Sequence, residues 1–216
     1  MMGWSHYGQE IQLEEFDAGA FLRSRQQPVV LDVGCGMSYA TGNHLSAGGR
    51  LQPLDIHYVD PLASYFNDIL RRYKRDLPEI EFGMMEYLSA FYPSGHADLV
   101  VIQNALDHSA KPLKGIVEAL HILKPGGILY LNHHADEAER EHYKGFHKYN
   151  INQADGHLTI WNKDSKHDVN QLLEGFAEVQ LAPARRRATS SPSSARPPRC
   201  PLASCLHATR RRCCSR

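Results

Sequence analysis

The sequence predicts an α/β protein built on a doubly wound, mostly parallel sheet with flanking helices. Three observations carry this reading. Short apolar runs end in acids or glycines, as Val29–Val33 runs into Gly34-Cys35-Gly36 and Ile56–Val59 into Asp60. Stretches of helical period separate those runs, notably Leu62 to Tyr73 and Pro112 to Leu123. At 216 residues the chain suits one domain with a sizeable core.

Taken in order, Glu10 to Arg25 reads as a helix with Leu13, Phe16 and Ala20 on one side, although Gly19 counts against it. Trp4, His6 and Tyr7 form an aromatic cluster ahead of it. The unbroken run Val29-Val30-Leu31-Asp32-Val33 fits a strand buried on both faces. Gly34 and Gly36 then allow a tight turn and a close backbone approach to a ligand. The architecture asks for a helix after this turn, and glycine-rich Tyr39 to Gly49 supports one poorly.

The second strand, Ile56 to Val59, ends at Asp60. An acid there can accept from both hydroxyls of a ribose, or it can cap the following helix. Ile80 to Met84 reads as the third strand and runs into Met85-Glu86. Ala97 to Ile102 is the fourth, followed by Asn104, Asp107 and His108, where such folds bind ligands. Pro112 suits the first turn of the next helix, and Gly126-Gly127 is expected to stop it. Ile128 to Leu131 is the fifth strand.

Beyond it lie Asn132-His133-His134, a charged helix over Ala135 to Lys144, and a hairpin over Tyr149 to Trp161 turning at Asp155-Gly156. A short helix over Val169 to Leu173 follows Asp168, and Gly175 to Leu181 reads as a sixth strand.

Asp-Val-Gly-Cys-Gly at residues 32–36 resembles the first motif of class I S-adenosylmethionine-dependent methyltransferases, of the type 11-like group. Residues 98–131, with their Leu-Lys-Pro-Gly-Gly turn, resemble a second block of the same family at the right distance. The resemblance covers about Val29 to Leu131. It implies a Rossmann-like fold, S-adenosylmethionine as cofactor, and methyl transfer to an acceptor. It implies a cofactor site of Asp32, Gly34, Cys35, Gly36, Asp60, Pro61, Met85, Glu86 and Asn104. Asp32 would order the loop or help hold the methionine amino group, Asp60 the ribose. Met85 would pack on the adenine face, Glu86 would accept from its amino group, and Asn104 would border the methionine portion. It also implies that the 133–165 segment is an insert shaping the substrate pocket.

The sulfonium methyl is already activated, so the protein mainly positions two reactants. A base is needed only where the acceptor must lose a proton. The candidates are His108, His133 and His134, with Asp107 beside them. His133, His134, Glu137, Glu141 and His142 are also metal-compatible types, but their spacing matches no metal motif, and no metal is expected. Two other readings stay open. A nicotinamide-dependent oxidoreductase would want a third glycine where Tyr39 stands. A catalytically inactive methyltransferase-like domain would bind a partner instead.

Charge divides the chain. Residues 183–216 hold nine of the 24 basic residues and no acid, leaving 15 against 24 acids in residues 1–182, a formal charge of −9. The acidic body argues against a nucleic-acid substrate, and the polar, histidine-rich stretch from Asn132 to Trp161 suits a small polar acceptor such as a sugar. Residues 1–182 are read as the catalytic domain. The tail holds four of the five cysteines and no Phe, Tyr or Trp, so it is expected to be disordered. Its composition suits an out-of-frame reading near Pro183; a nucleic-acid tail or a cysteine metal site are the alternatives. Nothing after Leu181 is expected to supply the seventh strand usual in the family, which would leave a sheet edge open to self-association. No apolar run of about 18 residues and no signal-peptide pattern occur, so a cytoplasmic protein without membrane contact is expected.

Overall fold

The computed structural model describes residues 6–181 and the backbone of residues 201–206. Trp4 and most of the arginine-rich tail lie outside the described residues.

The central sheet starts from β1 (Val29–Val33), whose neighbours are all parallel. A hairpin of β2 (His44–Ala47) and β3 (Arg50–Pro53) follows, then β4 (Asp55–Asp60), α2 (Ala63–Arg72) and the short β5 (Glu81–Phe82). β6 (Ala97–Gln103), α3 (Pro112–Ile122) and β7 (Leu123–His134) complete the parallel set. The order across the sheet is β5-β4-β1-β6-β7, closed by an antiparallel strand, β11 (Pro201–Leu206), against β7.

Strand β1 is apolar because both faces are covered. Leu31 and Val33 pack towards α3, with Ile116, Ala119 and Ile122. Val30 packs on the other face with Leu99, Val101 and Tyr130, beneath Ala18 and Leu22 of α1 (Ala18–Arg23). Burying each such side chain stabilises the fold by roughly 1.5–3 kcal/mol.

The remainder is local. α4 (Glu137–Arg140) leads to β8 (Asn150–Ala154) and β9 (His157–Trp161), joined through Asp155 and Gly156. Both turn residues have positive φ, 53° and 79°, as a twisted two-residue hairpin requires. β10 (Lys166–Asp168) makes this a three-stranded sheet. α5 (Val169–Leu172) is capped by Asp168, whose carboxylate accepts from the Gln171 amide at 3.1 Å.

Several expectations are corrected. The first helix occupies only Ala18–Arg23, because Asp17 caps it by accepting from the Ala20 amide at 2.8 Å. The chain before it is extended instead, with the Ile11 amide donating to the His44 carbonyl at 2.8 Å. Tyr39 to Gly49 forms no helix; Gly48 and Gly49, at φ 57° and 75°, turn the β2–β3 hairpin. The connection from β1 to β4 therefore lacks the helix of a regular doubly wound unit. The third strand shrinks to two residues and the charged helix to Glu137–Arg140.

Gly126 and Gly127 do not stop α3, which ends at Ile122. They lie in the first part of β7, where a Cβ on Gly127 would come within 2.9 Å of the Lys124 carbonyl oxygen. Gly175 to Leu181 joins no strand among the described residues. One edge of β7 is paired over its last six residues, from Pro201↔His134 to Leu206↔Leu129. A strand thus does arise after Leu181, within a tail expected to be disordered. No helix among the described residues is long and apolar enough to cross a membrane.

Candidate functional site

The carboxyl ends of β1, β4 and β6 open onto a cavity of about 920 Å³. This is the size and place at which open α/β sheets take small ligands. Its floor is the turn after β1. Gly34 has φ 71°, and its amide donates to the Val59 carbonyl at 2.7 Å. A Cβ there would stand 2.4 Å from the Ala105 Cβ, so only glycine lets β1 and the end of β6 approach. Gly36 has φ 56° and faces open space, since a Cβ there would meet nothing within 4 Å. Cys35 is buried between them, and burial pushes its thiol well above the ordinary range.

Asp60 ties this turn to the next helix. One carboxylate oxygen accepts from the Gly36 amide at 3.0 Å, the other from the Leu62 amide at 2.8 Å. Asp60 is not the cap of α2, whose N-cap is Leu62 without a side-chain cap. A carboxylate accepts about four hydrogen bonds, so two directions remain for a ligand. Asp60, Pro61 and Leu62 all line the cavity.

Asp32 does not line the cavity. It is buried on the other face of β1, where the Thr41 hydroxyl donates to it at 2.5 Å and Gln103 donates to that hydroxyl at 3.3 Å. Burial pushes the carboxyl up to about 6, against the lowering pull of Thr41. Of its two foreseen roles, the geometry matches ordering of the loop.

Met85 and Glu86 line the opposite wall. Met85 is also core, packed near Gly34 and Gly115. One Glu86 oxygen accepts from the Ser109 hydroxyl at 2.6 Å and the Ala110 amide at 2.9 Å. Burial would raise its carboxyl, but these donors outweigh burial and hold it below the usual range. Glu86 therefore clamps the 109–111 loop from within the cavity wall.

Asn104 has φ 48°, and its side-chain oxygen accepts from the His134 amide at 3.2 Å. It lines the cavity together with Ala105 and His108.

The histidine candidates separate sharply. His108 lines the cavity. His133 is buried, with neither ring nitrogen hydrogen-bonded among the described residues, and burial lowers it to about 4, holding it neutral. It lines no part of the cavity, and the same holds for His134. The sequence reading missed His147. Its Nδ1 lies 2.8 Å from Asp107 Oδ2 and 3.2 Å from His108 Nε2, and Asp107 is 4% exposed. Phe146 beside it lines the cavity and packs on the His108 ring. No spacing could have signalled this, because 40 residues separate Asp107 from His147.

Residues 31–131 match the family model described as a methyltransferase domain. No curated protein sequence matches the chain. Among solved structures, the complex between the Haloferax volcanii Trm112 methyltransferase activator and a methyltransferase is similar at a TM-score of 0.53 and 16% identity, covering 89% of this chain and 86% of that one. The CMeT domain of the citrinin polyketide synthase follows at 0.52 and 13% identity, covering 85% and 47%. YcgJ protein from Bacillus subtilis gives 0.39 and 16% identity, covering 58% of this chain and 54% of that one. The alignment thus spans about half the length of the YcgJ chain. The glycine turn, Asp60 and the Leu-Lys-Pro-Gly-Gly turn all lie inside the matched residues, and the match supports a class I S-adenosylmethionine-dependent methyltransferase fold with S-adenosylmethionine as its cofactor.

Proposed function

We propose that the protein transfers a methyl group to a small polar acceptor, with the cofactor lying across the glycine turn. The observation that carries this reading is Asp60, held by the Gly36 and Leu62 amides with free acceptor directions in the wall of an open cavity. When bound, the cofactor supplies a methyl group already activated on a sulfonium.

The chain's work is positioning. Gly34 and Gly36 bring backbone close to the ligand, and Asp60 accepts from the ribose hydroxyls. Met85 covers one face of the base, and Glu86 receives a donor at its edge while keeping the 109–111 loop in place. Asn104 borders the amino-acid end. Pro61 stiffens the segment that presents Asp60. Asp32 acts through Thr41, ordering the loop behind the turn. The acceptor enters between His108 and Phe146, and any proton it must lose leaves on the His108 side. The polar segment between β7 and β9 and the acidic body support a small metabolite over a nucleic acid.

Calorimetric titration with S-adenosylhomocysteine, run beside NADH, tests the reading. Binding of S-adenosylhomocysteine alone, lost in Asp60→Ala, is the expected result. Preference for NADH would overturn it. Transfer to RNA or protein but to no small molecule would overturn the choice of acceptor.

A further inference from the structure

We propose that Asp107, His108 and His147 bind one divalent first-row transition cation, of the zinc type, at the rim of the cavity. Asp107 Oδ2, His108 Nε2 and His147 Nδ1 form a triangle with edges of 2.8, 3.2 and 3.5 Å. Ligand atoms about 2.0–2.2 Å from one tetrahedral centre stand roughly 3.3–3.6 Å apart. The triangle therefore needs shifts of only a few tenths of an ångström to become three corners of such a site.

The donor set is two imidazoles and one carboxylate, which suits zinc, iron or cobalt better than magnesium or calcium. Hydrogen bonding alone explains the cluster poorly. A single proton on His147 Nδ1 can serve Asp107 or His108 well, but not both. A cation would satisfy all three lone pairs at once. The Asp107 carboxylate is also buried, and among the described residues its ion-pair partners are these two histidines. Burying a carboxylate is costly unless positive charge answers it.

The backbone holds the parts together. Asp107 and His108 sit in a single helical turn, Leu106–His108, directly after β6, and the Lys148 amide donates to the Asp107 carbonyl at 3.0 Å. That bond fixes the segment carrying His147 against the segment carrying the other two ligands. Because His108 lines the cavity, the open fourth position would face the entering acceptor, whose oxygen would complete the site. This last point rests on the methyl-transfer reading; cation binding itself does not.

The test is titration of the full chain with Zn²⁺ against a chromophoric chelator, and with Co²⁺ followed by visible absorption. One equivalent with a tetrahedral Co²⁺ spectrum free of thiolate charge transfer is expected. His147→Ala and His108→Ala should each weaken binding by about a hundredfold or more, since losing even an outer partner costs about 10–100-fold. His108 is exposed and His147 half-buried, so both variants should keep their fold, checked by circular dichroism. No stoichiometric site, affinity unchanged in both variants, or a thiolate spectrum pointing to the cysteines would overturn the proposal. S-adenosylhomocysteine titration of the same wild-type sample separates the two readings: S-adenosylhomocysteine binding with no stoichiometric cation binding sinks only the metal site, and cation binding with no S-adenosylhomocysteine binding sinks only the cofactor reading.

Discussion

The two walls of the cavity use their polar groups in opposite ways. On the cofactor side, Asp60 and Glu86 are committed to backbone amides and a hydroxyl of their own loops. Behind the side lined by Asn104 and His108, His133 and Asn132 are buried with side-chain atoms that have no hydrogen-bond partner among the described residues. The first wall is organised before any ligand arrives. At the rim of the second side stands one cluster, Asp107 with His108 and His147, whose potential ligand atoms lie within 4.8 Å of one another. A cofactor common to a family can be met by a fixed cradle built from successive strand ends of one sheet. The rim cluster is instead gathered from segments 40 residues apart in the chain.

The contrast can be broken most severely at Gly34. Gly34→Ala should destabilise the fold by roughly 2–4 kcal/mol in chemical denaturation, through left-handed strain and the 2.4 Å approach to Ala105. It should also abolish binding of S-adenosylhomocysteine. Retention of both would mean that the floor of the cradle is not rigid.

Two buried groups then give opposite pH dependences. The Asp32 carboxyl is raised from 3.8 to about 6, so it binds its proton more tightly folded than unfolded. Its contribution is complete below pH 4 and is lost as pH rises through 6, at most about 3 kcal/mol. His133 is lowered from 6.5 to about 4, so its contribution is complete above pH 6.5 and is lost as pH falls towards 4. Denaturation across pH 4–7 should therefore show Asp32→Asn gaining relative to wild type with rising pH, and His133→Gln gaining with falling pH. Parallel curves for all three proteins would refute these burial effects.

Asp60→Ala should weaken S-adenosylhomocysteine binding about a hundredfold, the scale of one or two charge-assisted hydrogen bonds. Asp60→Asn should lose less, because it keeps acceptor capacity for one of the two amides. The smallest effect belongs outside both walls. Asp17→Ala removes the cap of α1 and should cost about 1 kcal/mol of stability while leaving cofactor affinity unchanged. A change in affinity there would tie α1 to the site.

Local rules carried β1, β4, β6 and β7 through, because an apolar run bounded by glycine or acid has few alternatives inside a sheet. They failed at Tyr39 to Gly49, where the expected helix gave way to a Gly48-Gly49 hairpin whose positive φ angles a glycine pair supplies cheaply. They failed again at β11, since the pairing of residues 201–206 with β7 is a contact across some 70 residues that no composition reveals.

The site divides along the same line. Gly34, Gly36, Asp60, Pro61, Met85, Glu86 and Asn104 all line the cavity, as their positions at strand ends required. Chain order alone determined that much, because in a parallel sheet every strand's carboxyl end lies on one side. Only the tertiary structure turned Asp32 away to Thr41, buried His133 behind the cavity wall and brought His147 to Asp107. Those outcomes depend on which face of a strand a side chain takes and on which distant loop folds back over it, and both are settled by packing rather than by spacing.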